Sequence, residues 1–427
     1  MSNSISRRSL LRNSLLSGGL CGLGDLVGPS FLSSQAYGQG IGKHNNHLFV
    51  LHLRGGYSAS FSSAGAFINQ DFGGMNGNNS MDLGNDLVVH NMFRAFPSWV
   101  RQHMATIGIQ HGQSAHANAR AVSYVTSNDV GAAHVLASGM GGPSANKFVS
   151  AGQRAPMNFR GSVGGTSMQR ITDMQAALDA LGAGGDSPFN PDRSLAAQGL
   201  AASMQQSQAA IAGNPESLIS LQNGYQAAID TLGQPAPQFN QAQMMQDYGL
   251  TGTAVANNDL SAQLALAELM FMAETNVVLS NHDGWDNHGD PRMSRVFNMM
   301  RGDIIPALNV FFRRVYGDPA NNIAPQPAFV NKNVVTVITG DFVRRPSNSQ
   351  HGSGIAATVI GPHVKVGSTG VVDSQARLPN QTPNSAAYWA YLATVLKAPE
   401  ATVNELVSLG GGGTAQGLAR HLALANV

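Results

Sequence analysis

Cysteine is almost missing from this sequence: Cys21 is the single one in 427 residues. A disulfide scaffold or a thiolate metal site is thereby excluded. Charge is also scarce. Asp, Glu, Lys and Arg make up 11% of the chain, and 25 basic groups stand against 24 acidic ones for a formal charge of +1. A broad nucleic-acid-binding face needs an excess of Lys and Arg, so no nucleic-acid partner is expected. No stretch approaches 18 consecutive apolar residues, so the mature chain is expected to have no transmembrane span. Glycine is plentiful instead, with 49 positions and no collagen-like period. It fits loops of close backbone approach together with low-complexity filler. A chain this long can bury a large core without staples.

Residues 1–36 do not belong with the rest. Ser6-Arg7-Arg8-Ser9-Leu10-Leu11-Arg12 is a basic opening with paired arginines, and a weakly apolar stretch from Leu15 to Leu32 follows it. Ser34-Gln35-Ala36 offers the small-x-small pattern of a cleavage site. This is the layout of a twin-arginine signal peptide, and the protein is expected to be periplasmic or secreted by that route. Cleavage takes Arg7, Arg8 and Arg12 from the 25 basic groups and Asp25 from the 24 acidic ones, which leaves the mature chain at −1. Cys21 leaves with them.

The mature part, 37–427, reads as one α/β domain. His47 to Leu53 is a buried strand running into Arg54-Gly55-Gly56, whose glycines permit unusual backbone angles. Met104 to Ile109 is a second apolar stretch, and a helix follows over Ala115 to Val125. Residues 185–250 form a Gln/Ala/Asn-rich insertion whose structure composition does not decide. A helix is predicted over 260–274, and a strand over Asn276 to Ser280. A long helix over 293–315 is bent at Pro306. Strands at Val334 to Thr339 and Ala356 to Ile360 and a helix over 385–396 complete the series. Short strands separated by long helices predict a three-layer sandwich with a largely parallel central sheet. Such a sheet places its working loops at the carboxyl ends of its strands.

Polar residues gather at those ends. His282-Asp283-Gly284-Trp285-Asp286-Asn287-His288-Gly289-Asp290 packs five ionisable residues into nine. Asp286 and His288 are two apart, so extended backbone projects both to one side, where they can hold one divalent ion. The alternative is a solvated turn. Asp341 follows a strand directly, and His351 comes ten residues later in Gln350-His351-Gly352. Between them, Arg344 has the planar fork suited to phosphate or sulfate, or it pairs with Asp341 or a carbonyl. Ser114, in His111-Gly112-Gln113-Ser114-Ala115-His116, lies where a strand gives way to a helix. Its hydroxyl is a candidate nucleophile beside free N–H groups, or an ordinary N-cap. The G-x-S-x-G elbow is absent. His44 and His47 are expected to face solvent, and His52 to be a satisfied core residue.

In this order the motifs resemble the DUF1501 family of exported bacterial proteins, related to sulfatases within the alkaline phosphatase superfamily. Leu53-Arg54-Gly55-Gly56 is similar to that family's Leu-Arg-Gly-Gly, and Gly284-Trp285-Asp286-Asn287-His288 to its Gly-Phe-Asp-Thr-His. Gly340-Asp341-Phe342-Val343-Arg344 resembles Glu-Phe-Gly-Arg, and Gln350-His351-Gly352 resembles Asp-His-Gly. The likeness runs from residue 47 to 400 and omits 185–250. It implies an alkaline phosphatase/sulfatase-like fold in which strand-end Asp and His residues hold divalent metal, of the Zn, Ca or Mn kind, beside a Ser or Thr nucleophile. Carried onto this chain, the metal ligands are Asp286, His288, Asp341 and His351, and the catalytic candidates are Ser114 and Arg344.

The departures weigh against a full centre. Tyr57-Ser58-Ala59-Ser60 stands where the family places an acid after Arg-Gly-Gly, Gln350 stands where it has one before the last histidine, and its Glu is shortened to Asp341. Lost carboxylates weaken a two-metal site. The sequence therefore favours a non-catalytic binding or structural member, engaging a cell-surface polymer or an exported partner protein. The alternative is a metal-dependent hydrolase of a small phosphate or sulfate ester.

Overall fold

The computed structural model describes residues 45–180 and 240–427, apart from 69–74, 127–128, 143, 145, 289, 291–292 and 347, and a few positions between 198 and 205. The expected signal at 1–36, His44 and most of the 185–250 stretch lie outside the described residues. Of that stretch, Gln241–Asp247 is a helix. Among the described residues no helix is long and apolar enough to cross a membrane.

Among the described residues nine strands form the main sheet: β1 (Asn46–Leu53), β2 (Met104–Gln110), β3 (Phe148–Ala151), β4 (Ser162–Val163), β5 (Thr166–Ile171), β6 (Val277–His282), β7 (Asn333–Gly340), β8 (Gly354–Ile360) and β9 (Gly367–Ser368). Their order is β9-β2-β8-β7-β1-β6-β3-β5-β4. Only β8 and β4 run against the others. The central strands are apolar on both faces because both faces are covered, as parallel sheets require. Along β1, Phe49, Leu51 and Leu53 enter one core with helices Leu260–Met272 and Ile305–Tyr316. Leu48 and Val50 enter the other, with Ala132–Gly139 and Ser385–Val395. The result is the three-layer α/β sandwich with a largely parallel sheet that the sequence predicts.

Two expectations need correction. His47 does not face solvent: it is wholly buried, with Nδ1 2.7 Å from the Thr275 carbonyl and Nε2 accepting from Lys332 Nζ at 3.0 Å. It sits on a central strand, where layers on both sides leave no solvent face. The helix expected over 293–315 is interrupted. Ser294–Met299 gives way to a π turn, Met300–Ile304, before Ile305–Tyr316. Pro306 has no N–H to continue the α-ladder, and the wider turn, in which Ile305 N–H reaches Met300 O, absorbs the missing bond.

The register places the site. Leu53 pairs with Gly340 of β7 and with His282 of β6, so the three parallel strands end level with one another. Their next residues, Arg54, Asp283 and Asp341, therefore emerge on one edge. β2 ends at the same edge, because Gln110 pairs with Gly354. Since β8 is antiparallel, the edge receives its start, which brings in the preceding loop with His351.

Candidate metal centre

The turn after β1 is the platform. Gly55 and Gly56 have φ of +119° and +128°, in the left-handed region that favours glycine. A Cβ on Gly56 would lie 2.8 Å from Cγ of Arg344. The carbonyl before them, Arg54 O, accepts from Trp285 N at 3.1 Å. Trp285 is buried, and its Nε1 donates to His282 Nδ1 at 3.1 Å. This anchored indole leaves the flanking Asp286 and His288 near solvent, with side chains 51% and 41% exposed.

Four side chains then converge. One ligand atom from each of His116, Asp286, His288 and His351 falls within 4.8 Å of the others. His288 Nε2 lies 3.3 Å from Asp286 Oδ1, and His116 Nε2 lies 3.4 Å from Asp286 Oδ2. The two imidazoles thus flank the carboxylate, one beside each oxygen. The His351 ring centroid is 4.8 Å from that of His116 and 4.6 Å from that of His288. This group can hold a metal ion.

The protonation of His351 fits such an ion. His351 Nδ1 lies 3.0 Å from the Ser114 carbonyl, which can only accept, so Nδ1 carries the hydrogen and Nε2 keeps its lone pair. That Nε2 is buried and, among the described residues, has no hydrogen-bond partner. Burial and the neighbouring Arg344 charge push the His351 pKa down to about 4, so the ring is neutral at neutral pH. Because the folded value lies below the unfolded one, this ring's contribution to stability is full above the unfolded value and fades as pH falls towards 4. An NMR titration of the metal-free protein is expected to show its midpoint near 4. Asp286 stays ionised: burial opposes its charge, but the hydrogen bond and charge of Arg344 outweigh it and lower the pKa.

Asp341 lies outside the cluster. Its carboxylate is wholly buried and receives four donors: His52 Nε2 at 2.8 Å on Oδ1, and Gly55 N at 3.1 Å, His116 Nδ1 at 2.6 Å and Arg120 Nη1 at 2.9 Å on Oδ2. Burial works against its charge, yet His52, Arg120 and His116 together hold its carboxyl well below the usual carboxylate range. Oδ2 takes three of these donors and Oδ1 one, and the carboxylate meets His116 on the side away from the cluster. This carboxylate–histidine arrangement accompanies most metal-bound histidines.

Arg344 does not face the site as an anion clamp. It is 1% exposed and gives its fork to Gly55 O, Ser349 O and Asp286 Oδ1, the last at 2.7 Å. Of the alternatives open to it, the carbonyl contact is realised, and the carboxylate it pairs with is that of Asp286. Ser114 touches the site through its carbonyl. It is not an N-cap, since the helix His116–Ser123 has Ala115 at that position and no side-chain cap. Tyr57, in the place of the missing acid, turns inward and bonds Thr358 Oγ1 at 3.0 Å. His116 is the residue that sequence reasoning passed over. Its signal was faint: a histidine opening a helix, with Arg120 one turn on, both reaching Asp341.

These features define an α/β sandwich whose carboxyl edge carries a cluster of three imidazoles and one carboxylate. No family model and no curated protein matches the chain. Among solved structures it is similar to Ps i-CgsB in complex with k-i-k-neocarrahexaose, with a TM-score of 0.36 and 9% identity over 88% of this chain and 77% of that one. It is also similar to the phosphonate monoester hydrolase of Agrobacterium radiobacter, with a TM-score of 0.31 and 11% identity over 83% and 74%. At such values neither likeness bears on the chemistry of the site.

Proposed function

We propose that the protein is a metal-dependent hydrolase of a small phosphate or sulfate ester, built around one divalent ion held by His116, Asp286, His288 and His351. The supporting observation is the convergence of these four ligand atoms within 4.8 Å at a half-exposed strand edge. With His116 counted, the centre has a full donor set despite the missing family carboxylates. Three imidazoles and one carboxylate suit zinc. Calcium fits poorly, because it takes six to eight oxygens, and manganese prefers carboxylate, carbonyl and water.

Charge supports an anionic substrate. Arg344 balances Asp286 and Arg120 balances Asp341. The ligand histidines must be neutral to bind, so the charge of a divalent ion is left uncompensated at the edge. An ion held there supplies Lewis-acid polarisation of an ester oxygen. The chain's own residues do the rest. Asp286, ionised and half-exposed, supplies the carboxylate donor, and Arg344 fixes its orientation. Arg120, spending one N–H on Asp341, has donors left for a non-bridging oxygen. In this reading the protein works outside the cytoplasm after twin-arginine export, as its DUF1501-like motifs would have it.

A second reading draws on the same cluster. Four protein ligands can close a tetrahedron, as structural zinc sites do. The protein would then be a non-catalytic binder of a surface polymer or partner, with the ion as a staple. Elemental analysis, an ester screen with added Zn, Mn or Ca, and thermal melts separate the two. The hydrolase predicts about one zinc per chain and turnover that drops at least about 100-fold in His351→Ala. Stoichiometric metal that raises the melting temperature without any turnover would favour the staple. Sub-stoichiometric metal with no rescue would end both. Ser114→Ala tests the nucleophile, since retained turnover would assign attack to water.

A further inference from the structure

We propose that His52 and Tyr124, both buried in the core, belong to the metal centre as a positioning arm that acts through Asp341 to dictate which nitrogen of His116 faces the ion. The proposal rests on the cluster being a metal site, and not on what reaction follows.

His52 lies within β1 and is wholly buried, and Tyr124 is 2% exposed. His116, Arg120 and Tyr124 are four apart, so one helical face carries all three. Each reaches the same carboxylate, Tyr124 doing so through His52. The donors along this chain are determined one after another. Asp341 is a carboxylate and can only accept. His52 Nε2, 2.8 Å from Oδ1, must therefore carry a hydrogen. In a neutral ring that leaves Nδ1 with a lone pair, and Tyr124 Oη lies 3.3 Å from it. Burial pushes the Tyr124 phenol pKa up, so its hydroxyl remains the donor. On the other oxygen, His116 Nδ1 at 2.6 Å must likewise carry a hydrogen. His116 Nε2 then has its lone pair free, and it is this atom that turns towards Asp286.

The arrangement is directional from Tyr124 O–H to His52, and from His52 N–H to Asp341. Together they hold Oδ1 in place so that Oδ2 is presented to His116. The buried His47, by contrast, spends Nδ1 on the Thr275 carbonyl and Nε2 on Lys332. The bonds of His52 lead instead to a candidate ligand. Partners of this sort typically change metal affinity about 10–100-fold when removed.

The test compares His52→Leu, His52→Gln and Tyr124→Phe with the full-length wild type. Three readouts apply: zinc affinity by chelator competition, the visible spectrum of the cobalt-substituted protein, and the His116 tautomer by 15N NMR without metal. His52→Leu is expected to lower zinc affinity about 10–100-fold and to alter the cobalt spectrum. His52→Gln, which retains an N–H near the position of Nε2, is expected to restore most of it. Tyr124→Phe is expected to weaken binding less than His52→Leu does. A merely structural histidine would lower the melting temperature in both His52 variants while affinity stayed at the wild-type value, and that result overturns the proposal. Should His52→Leu fail to fold, Tyr124→Phe and the tautomer decide. A hydrogen on His116 Nε2 in the metal-free wild type overturns it equally. Expected affinities without ester turnover would sink the hydrolase and leave this arm standing, whereas turnover with unchanged affinities would do the reverse.

Discussion

Replacing Asp341 with leucine is expected to destabilise the protein by about 3–5 kcal/mol and to weaken metal binding about 10–100-fold. The side chain is wholly buried, and four donors point at it. Removing the carboxylate leaves the largely buried Arg120 guanidinium, the buried His52 N–H and Gly55 amide, and the part-exposed His116 N–H without their acceptor. An unpaired buried charge is the largest of these losses. His116 would also lose the acceptor that keeps Nε2 turned to the cluster. Denaturant unfolding gives the first quantity, and a zinc titration the second. The same residue makes an acid prediction. Its folded pKa lies below the unfolded value, so its stabilisation is complete above the ordinary carboxylate range and is lost as pH falls through and below it. Wild-type stability should therefore fall more steeply in acid than that of the leucine variant. Parallel curves would mean that Asp341 is not ionised in the native state.

Gly55→Ala is expected to damage fold and site together. The residue has φ of +119°, where an L side chain is strained by about 1–3 kcal/mol. Space is the harder limit. A Cβ would lie 2.5 Å from the carbonyl carbon of Trp285 and closer still to the amide nitrogen of Asp286. Both are backbone atoms, so no rotamer relieves the contact and the Asp286 loop must move. Zinc affinity should fall at least about tenfold, a loss comparable to that of an orienting partner. Gly84→Ala is the control: its φ is +89°, but a Cβ there meets nothing within 4 Å. It should cost only the conformational strain, about 1–2 kcal/mol, with zinc binding intact. Equal effects from the two substitutions would show that strain, and not the approach of the two loops, matters at Gly55.

Much of the fold was legible in the sequence. His47 to Leu53 and Val334 to Thr339 are dense in apolar and β-branched residues, and both are central strands. Glycine after each strand marked the working edge. Asp286 and His288 could be paired because their spacing of two holds whatever the loop packs against. Arg344 and Asp341 were harder. Each sits at the edge the sequence indicated, yet their hydrogen bonds are taken by His52, Gly55, His116, Arg120 and Asp286, partners that no spacing reveals. His116 shows the same limit from the other side, since nothing near it in sequence marks it as facing Asp286.

Local pattern by itself determined which segments became strands and helices, that the sheet would be largely parallel, and where its polar loops would gather. Backbone periodicity and turn chemistry act between near neighbours, so a linear reading captures them. Only the tertiary structure decided which polar side chain meets the cluster and which one props it from behind. That choice depends on who stands opposite, and His116 and Asp341 are 225 residues apart along the chain. A wholly buried carboxylate with donors on both oxygens orients its neighbour, and one with a side open to solvent can bind an ion.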